Sequence, residues 1–412
     1  MLPLSFLRAH GRLLGFGVLM TFCSSVGQTF FISLFSAEIR AAFALSDGDF
    51  GSLYAAGTLG SAAVLLWAGR LIDRLPLPVF AAGVLALLGA TCLLMGAVWN
   101  AAALVAALFG LRLFGQGLAS HSAVVAMGRY FEAQRGRAVS VATLGHTLGE
   151  AALPAAVVAA LALADWQWLW RGTGLALFAL IPLALLLLKG QRARDAAFKL
   201  QRDAAAGAAD RAADRTLGFA LRDSGLWLRL PALLASPFIG TGLIFHQVHL
   251  AATKGWPLTL LAGAFAVFAA CSLATLLLAG PLVDRLGARR LVPVFLAPLA
   301  LGCLALAVSD APLVATLFMG LLGVTTGGGA VLLGALWAEL YGVTHLGAIR
   351  AFAQSAMVFA TGLAPALMGL LIDRGVAMEA IAAGCALYCL LASALAVTAA
   401  QAQRRNAAAT GR

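Results

Sequence analysis

Charged residues are scarce in this chain of 412 residues. Only 11% of it is Asp, Glu, Lys or Arg, whereas 62% is hydrophobic. Soluble domains carry about 25% charged residues. A chain of this length with so few charges cannot cover a surface that faces water, so its composition excludes a soluble globular protein.

Familiar catalytic and redox motifs are absent as well. The sequence has no HExxH, no GxSxG and no CxxC pair, and its six cysteines all lie in apolar stretches, which favours small buried side chains. The glycine-rich "TTGGGA" at 325–330 is not a phosphate loop, because no Lys-Ser/Thr pair follows it. We therefore expect no enzyme, no cofactor and no metal.

Long hydrophobic runs are what the sequence has in abundance. Apolar stretches of roughly 18 residues or more that are almost free of charge are candidate transmembrane helices. We predict an all-α membrane protein with 12 transmembrane helices. The predicted spans are 12–36, 50–72, 79–98, 102–128, 138–163, 168–188, 228–252, 258–283, 290–308, 312–338, 349–371 and 377–400.

The few basic residues are distributed unevenly between the connecting segments. If the N-terminus is cytoplasmic, the segments on that side hold 23 of the 28 Lys and Arg residues. This positive-inside bias places both termini in the cytoplasm of a multi-pass protein of the cell inner (plasma) membrane. The excess positive charge therefore indicates contact with anionic membrane lipids and not with nucleic acid.

The longest connection, 189–226, is rich in Ala and in charges of both signs. We interpret it as a cytoplasmic linker that separates an N-terminal six-helix bundle, 1–188, from a C-terminal one, 227–412. The two predicted bundles share a sequence motif, because "AGRLIDRL" at 68–75 is repeated as "AGPLVDRL" at 279–286. The same offset of 211 residues aligns Tyr130 with Tyr341 and Pro154 with Pro365, so we expect two pseudo-symmetric halves.

The repeated phrase resembles the loop motif of the major facilitator superfamily, and "RLFGQG", which begins at Arg112, resembles the motif of that family's fourth helix. The resemblance covers essentially the whole chain. It implies alternating access between two bundles, and a latch on the cytoplasmic side. The residues that it assigns to this gate are Gly69, Asp73, Arg74, Gly280, Asp284 and Arg285, with Arg129 and Arg350 near them.

By symmetry, Asp73 would face the start of the eleventh span and Asp284 the start of the fifth. The simpler alternative is that Asp-Arg merely ends a helix and anchors a short loop. One departure concerns the fifth span, where Glu150 follows Gly145 and Gly149 at a position for which the family's antiporter motif has proline. This departure argues against a drug antiporter.

Polar residues inside the spans are functional candidates, because burying them in lipid is costly. Arg112 in the fourth span needs a partner, and Glu150 in the fifth lies at a similar depth, so we expect the two to pair. Glu150 is then either a structural counter-ion or a proton-coupling residue. His146 shares its helix face and could relay a proton, whereas His121 is expected to pack.

Further candidates would line a polar cavity. His246 and His249 lie three residues apart in the seventh span and would line one side of it, and Gln28 and Thr29 in the first span could line the opposite wall. Zinc would need ligands that the sequence does not place beside these histidines. In the resembling family, spans 1, 4, 7 and 10 surround the substrate cavity.

The cavity candidates include more potential cations than acids. We therefore predict a secondary transporter for a small organic anion, a carboxylate moved together with a proton. The alternative is a proton-driven exporter of drugs or lipophilic cations, in which Glu150 would meet the substrate. The resemblance also implies that the protein works as a monomer.

Overall fold

The computed structural model describes residues 4–69, 71–131, 135–191, 194, 217–341 and 346–409, which form helices and turns without any β-strand. Among these residues, nine helices are long and apolar enough to cross a membrane, or ten if the bent pair His10–Gly27 and Thr29–Phe43 is one span. The other two predicted spans correspond to Asp47–Ala68 and Ala297–Val308. The predicted all-α membrane fold is confirmed.

The chain forms two compact units. The first contains Met1–Leu45 and Leu53–Arg211, and the second contains Ser46–Ser52 and Ala212–Arg412. Most of the predicted linker, 195–216, lies outside the described residues. The first helices in the chain are α1 (Leu4–Ser24), α2 (Thr29–Ile32), α3 (Ser36–Phe43), α4 (Asp47–Ala68), α5 (Leu71–Arg74), α6 (Leu77–Met95), α7 (Ala101–Gly110), α8 (Ser120–Tyr130), α9 (Arg135–Leu161) and α10 (Trp166–Leu187).

The helix α4 contributes to both units, because its residues Asp47–Ser52 are counted with the second. The remaining helices of the second unit are α11 (Leu217–Arg222), α12 (Ser224–Phe245), α13 (Gln247–Thr253), α14 (Leu258–Leu286), α15 (Ala288–Leu291), α16 (Ala297–Val308), α17 (Pro312–Tyr341), α18 (Leu346–Asp373) and α19 (Met378–Ala409).

Helix pairing inside the first unit recurs inside the second. In the first unit α1 packs on α9 and α6 packs on α10, and in the second α12 packs on α18 and α16 packs on α19. In terms of spans, the first packs on the fifth and the third on the sixth in each unit. The internal sequence repeat therefore has a counterpart in the packing within each unit.

The first membrane span is broken in its middle. Helix α1 ends at Ser24, a 3-10 turn covers Ser25–Gly27, and Gln28 has an extended backbone with φ −86° and ψ 154° before α2 begins. The helical segments on the two sides of the break are bent by 47°. Such a break releases backbone groups from the helical ladder, and these groups then need other partners.

A π-helical segment, Leu111–Ala119, packs directly on this break. A Cβ atom added at Gly27 would lie 2.6 Å from the backbone nitrogen of Gln116 and 2.8 Å from the Cα of Gly115, and closer still to the Leu111 carbonyl. Only glycine at position 27 permits this approach. π-Helical turns are found frequently at functional sites.

Helix α9 approaches the same span through two glycines. A Cβ at Gly145 would lie 2.8 Å from the carbonyl carbon of Val18, and one at Gly149 would lie 2.8 Å from the Cβ of Ser25. Small residues at such crossings let helix backbones come close, which is how membrane helices gain packing energy. The backbone of the first span therefore lies between α9 and the π-helical segment.

In the second unit, a buried lysine at the end of α13 binds carboxylates from two other segments, one just before α17 and one at the start of α19. The side chain of Lys254 is 0% exposed and binds Asp310 and the Oε1 of Glu379, the latter at 2.8 Å. Burial alone lowers the pKa of the Lys254 ammonium, but hydrogen bonds to Asp310 and Glu379 outweigh that effect and hold the pKa above its ordinary value. Trp256 Nε1 adds a bond of 2.6 Å to the Asp310 carbonyl.

We predict that Gly27→Ala disrupts the packing of the broken span. The new methyl group meets backbone atoms on its partner, which cannot rotate away, so the expected loss in unfolding free energy is at least about 2 kcal/mol. The measurement is thermal unfolding of the purified protein in detergent. Gly83→Ala in α6 is the control, since a Cβ there meets nothing within 4 Å. Equal stability of the two variants would contradict the prediction.

We also predict that Lys254→Met lowers the free energy of unfolding by about 2 kcal/mol. A larger loss is not expected, because both carboxylates are partly exposed and water screens their attraction to the lysine. Because the pKa of Lys254 is raised by folding, its stabilisation is present below the ordinary lysine pKa and is lost as the pH rises through the folded value. The difference from wild type should persist from pH 6 to 9 and shrink above about pH 10. The exposed Lys189, changed to Met, is the matched control.

Candidate functional site

Arg112 lies in the π-helical segment and is 2% exposed. Its Nη1 donates a hydrogen bond of 3.2 Å to the Gly27 carbonyl at the break in the first span. Its guanidinium carbon lies 5.3 Å from the ring centroid of Tyr54, a cation–π distance. The buried Nε and Nη2 form no hydrogen bond with the described part of the chain.

The expected ion pair between Arg112 and Glu150 is not formed. Among the described residues, no carboxylate oxygen lies within 4.0 Å of the Arg112 guanidinium. Glu150 Oε1 instead lies 3.3 Å from His146 Nε2, one turn away on the same helix. A comparison of depth alone predicted the pair, but the backbone of the first span lies between the two helices, so the prediction was wrong.

Three buried polar groups around the break lack hydrogen bonds to described residues. They are Ser25 Oγ, His146 Nδ1 and the Nε–Nη2 edge of Arg112. Buried polar groups are normally satisfied, and each exception calls for an explanation. The three exceptions lie on the three segments that meet here, namely the break itself, α9 and the π-helical segment.

Gln28 and Thr29 lie at the same break. Gln28 is the extended, half-buried residue of the connection, and the Thr29 hydroxyl lies 2.7 Å from the Tyr54 hydroxyl. Tyr54 therefore contacts both Thr29 and Arg112. Sequence reasoning missed Tyr54, although a tyrosine in an apolar span, one of only four in the chain, was a usable signal.

His246 and His249 lie in the second unit, where both face one carboxylate. His246 Nδ1 is 3.4 Å from Asp47 Oδ1, and His249 Nδ1 is 3.4 Å from Asp47 Oδ2. His246 Nε2 lies 2.9 Å from the Pro365 carbonyl. Sequence reasoning also missed Asp47, since its distance of about 200 residues along the chain gives no local signal. In the described ranges, no group of three or more His, Cys, Asp or Glu residues is arranged to hold a metal.

The gate residues of the first unit surround the turn after α4. His121 Nε2 lies 3.2 Å from the Gly69 carbonyl, and Arg129 Nη1 donates to the Ile72 carbonyl at 3.5 Å. His121 thus contacts the loop motif. Arg74 is exposed, and the side chain of Asp73 lies outside the described part of the structure.

The equivalent loop of the second unit follows Gly280 and is held by Glu339. The Glu339 carboxylate accepts a hydrogen bond of 2.7 Å from the Ala288 backbone and pairs with Arg289 Nε at 3.4 Å. Asp284 and Arg285 are exposed at the end of α14, and Arg350 is exposed near the start of α18. The latch expected for Asp73 and Asp284 remains a prediction.

Comparisons with known proteins agree with this architecture. The sequence profile of the Major Facilitator Superfamily matches residues 17–270 and residues 238–411. No curated protein sequence matches the chain. A bacterial homologue of the human lysosomal transporter Spinster, inward-facing and unoccupied, has a TM-score of 0.69 at 13% identity over 95% of this chain and 97% of that chain.

A bacterial Spinster homologue in an inward-facing and occupied conformation has a TM-score of 0.65 at 14% identity, over 94% of this chain and 96% of that chain. At such low sequence identities, the similarity to these two structures shows only that this chain has the same fold. The profile, however, matches nearly the whole sequence. The chain therefore belongs to the Major Facilitator Superfamily of membrane transporters.

Proposed function

We propose that the protein is a secondary transporter that moves a small organic anion, a carboxylate, together with a proton by alternating access. The observation that carries this proposal is Arg112, a buried cation with no carboxylate oxygen within 4.0 Å among the residues that the structure describes. An arginine is charged at every physiological pH. A substrate anion would supply the charge that the surrounding residues do not.

The geometry of the guanidinium supports a carboxylate in particular. Nη1 is engaged by the Gly27 carbonyl, whereas Nε and Nη2, which form one edge of the planar group, have no bond to described residues. Two parallel donors on one edge match the two oxygens of a carboxylate. The contact of Arg112 with the Tyr54 ring would hold that edge in a fixed orientation.

A site for the coupling proton is proposed at His146 and Glu150. Their side chains are 33% and 16% exposed and lie 3.3 Å apart. Because Glu150 does not neutralise Arg112, it is available to exchange a proton with His146. Imidazole changes its charge near neutral pH, which suits a proton that is taken up and released in each cycle.

The remaining features of the proposal come from the sequence. The uneven distribution of the basic residues supports cytoplasmic termini, a location in the inner membrane and contact with anionic lipid. Two six-helix bundles, 1–188 and 227–412, would move about the site, and the gate motifs would latch the cytoplasmic side. The family resemblance favours a monomer.

We predict that small carboxylates raise the unfolding temperature of the purified wild-type protein and do not raise that of Arg112→Met. A ligand at 100 times its dissociation constant stabilises a protein by about 2.7 kcal/mol if it binds the folded state alone. Arg374→Met, at an exposed arginine, is the matched control and should keep the shift. Stabilisation by lipophilic cations that Glu150→Gln abolishes would replace the anion proposal with the exporter.

We predict that Glu150→Gln separates transport from the proton gradient. In proteoliposomes, the carboxylate identified by the unfolding screen should exchange across the membrane but should no longer accumulate when a pH gradient is applied. Glutamine keeps the size and polarity of the side chain but cannot carry the proton. Asp165→Asn, at an exposed carboxylate between α9 and α10, is the control and should still accumulate substrate. Retained accumulation in Glu150→Gln would remove Glu150 from the coupling mechanism.

A further inference from the structure

The first residues of α4 belong to the second unit and form several contacts within it. The Asp373 carboxylate accepts hydrogen bonds from the Ser46 hydroxyl at 2.7 Å, the Asp47 amide at 3.1 Å and the Gly48 amide at 2.9 Å. A Cβ added at Gly51 would lie 2.5 Å from the Pro365 carbonyl, so the backbones are in contact. We call residues 46–52 the docked segment.

His246 joins the docked segment to α18. The ring is 2% exposed, and its two nitrogens point in different directions, with Nδ1 3.4 Å from Asp47 Oδ1 and Nε2 2.9 Å from the Pro365 carbonyl. His249 approaches the other oxygen of Asp47, also at 3.4 Å, and is partly exposed. The Asp47 carboxylate is therefore placed between two imidazole rings.

The hydrogen-bonding partners restrict the protonation state of His246. A carbonyl oxygen can only accept, so Nε2 must carry a hydrogen to bond to Pro365. In the neutral ring, Nδ1 would then present a lone pair to a carboxylate oxygen, and two acceptors at 3.4 Å repel each other. The contact becomes favourable when a proton lies between Nδ1 and Oδ1, either on the imidazole or on the carboxylate.

We propose that His246 and Asp47 form a proton-binding site that holds the docked segment against His246 and α18 within the second unit. Bound protons favour docking, and loss of the proton leaves two repelling acceptors in a buried position. The docked segment is covalently continuous with the rest of α4, so its release would change the start of a membrane helix. This site is separate from the residues of the proposed anion site and does not depend on the proposed function.

A second carboxylate lies beside this pair, because Asp373 accepts a hydrogen bond from the Asp47 amide. Negative charge nearby favours the bound proton. Lys254, which follows α13, is itself bound to Asp310 and Glu379. Arg374 is exposed. The titratable and charged groups on the elements that pack against the pair are Asp49 in the docked segment, His249 in α13, and Asp373 with the adjoining Arg374 at the end of α18.

The test is hydrogen–deuterium exchange of residues 46–52 in the purified full-length protein between pH 5.5 and 8.5, corrected for the intrinsic exchange rate. For one linked proton, the protection factor should fall by up to about tenfold per pH unit as the pH rises through the titration. His246→Gln should abolish this dependence, and His121→Gln, the matched control in the first unit, should keep it. Protection that is independent of pH in the wild type, or a dependence retained in His246→Gln, would overturn the proposal.

A second variant addresses the case in which His246→Gln does not fold. Asp47→Asn keeps both histidines and supplies an amide hydrogen that Nδ1 of neutral His246 can accept, so the segment should remain protected at every pH in the range. A dependence on pH as steep as that of the wild type would contradict the proposal. Nitrogen-15 NMR of the histidines in lipid bilayers adds a direct readout, since the chain has only six.

In that spectrum, the proposal expects the His246 signal to change with pH in the same range as the protection factor. Either a doubly protonated ring at low pH or a neutral ring hydrogen-bonded to a protonated Asp47 would support it. A neutral His246 signal that does not shift between pH 5.5 and 8.5 would overturn it.

Discussion

The contact between Gly27 and the π-helical segment is the one on which the candidate site depends. It brings two backbones together where both have left regular α-helical geometry, and it places the Gly27 carbonyl against Arg112. In a bilayer, backbone groups outside a helical ladder must find partners within the protein. Here the Arg112 guanidinium donates a hydrogen bond to the Gly27 carbonyl, and the same bond orients the guanidinium.

This arrangement explains why Arg112 and Glu150 have different partners. The first span passes between the segments that carry them, because Gly27 contacts one side and Ser25 lies against Gly149 on the other. One edge of the Arg112 guanidinium has no bond to any residue in the described ranges, and Glu150 pairs with a histidine on its own helix. A cation and a titratable carboxylate that do not cancel each other can separate the binding of an anion from the binding of a proton.

In the second unit, most of the buried or partly buried charged groups are paired near the ends of helices. Lys254 is buried, but two partly exposed carboxylates bind it at the ends of the helices. Asp373 binds the amides at the start of α4, a position where the helix dipole favours a negative charge. His246 is the exception among these contacts, because its bonds are complete only with a proton. Lys254 and Asp373 thus stabilise connections at helix ends, whereas His246, whose contacts depend on a proton, is the candidate for function.

The sequence by itself determined the membrane class, the spans, the duplicated halves and the residues whose polarity is out of place in lipid. These follow from composition and local spacing, and the spacing of four residues correctly placed His146 beside Glu150. Only the tertiary structure decided which distant groups meet: Arg112 with Gly27 and Tyr54, and His246 with Asp47 and Pro365. A polar residue in an apolar span indicates that its side chain needs a partner. Which residue becomes that partner depends on where a helix breaks and how closely glycines let backbones approach.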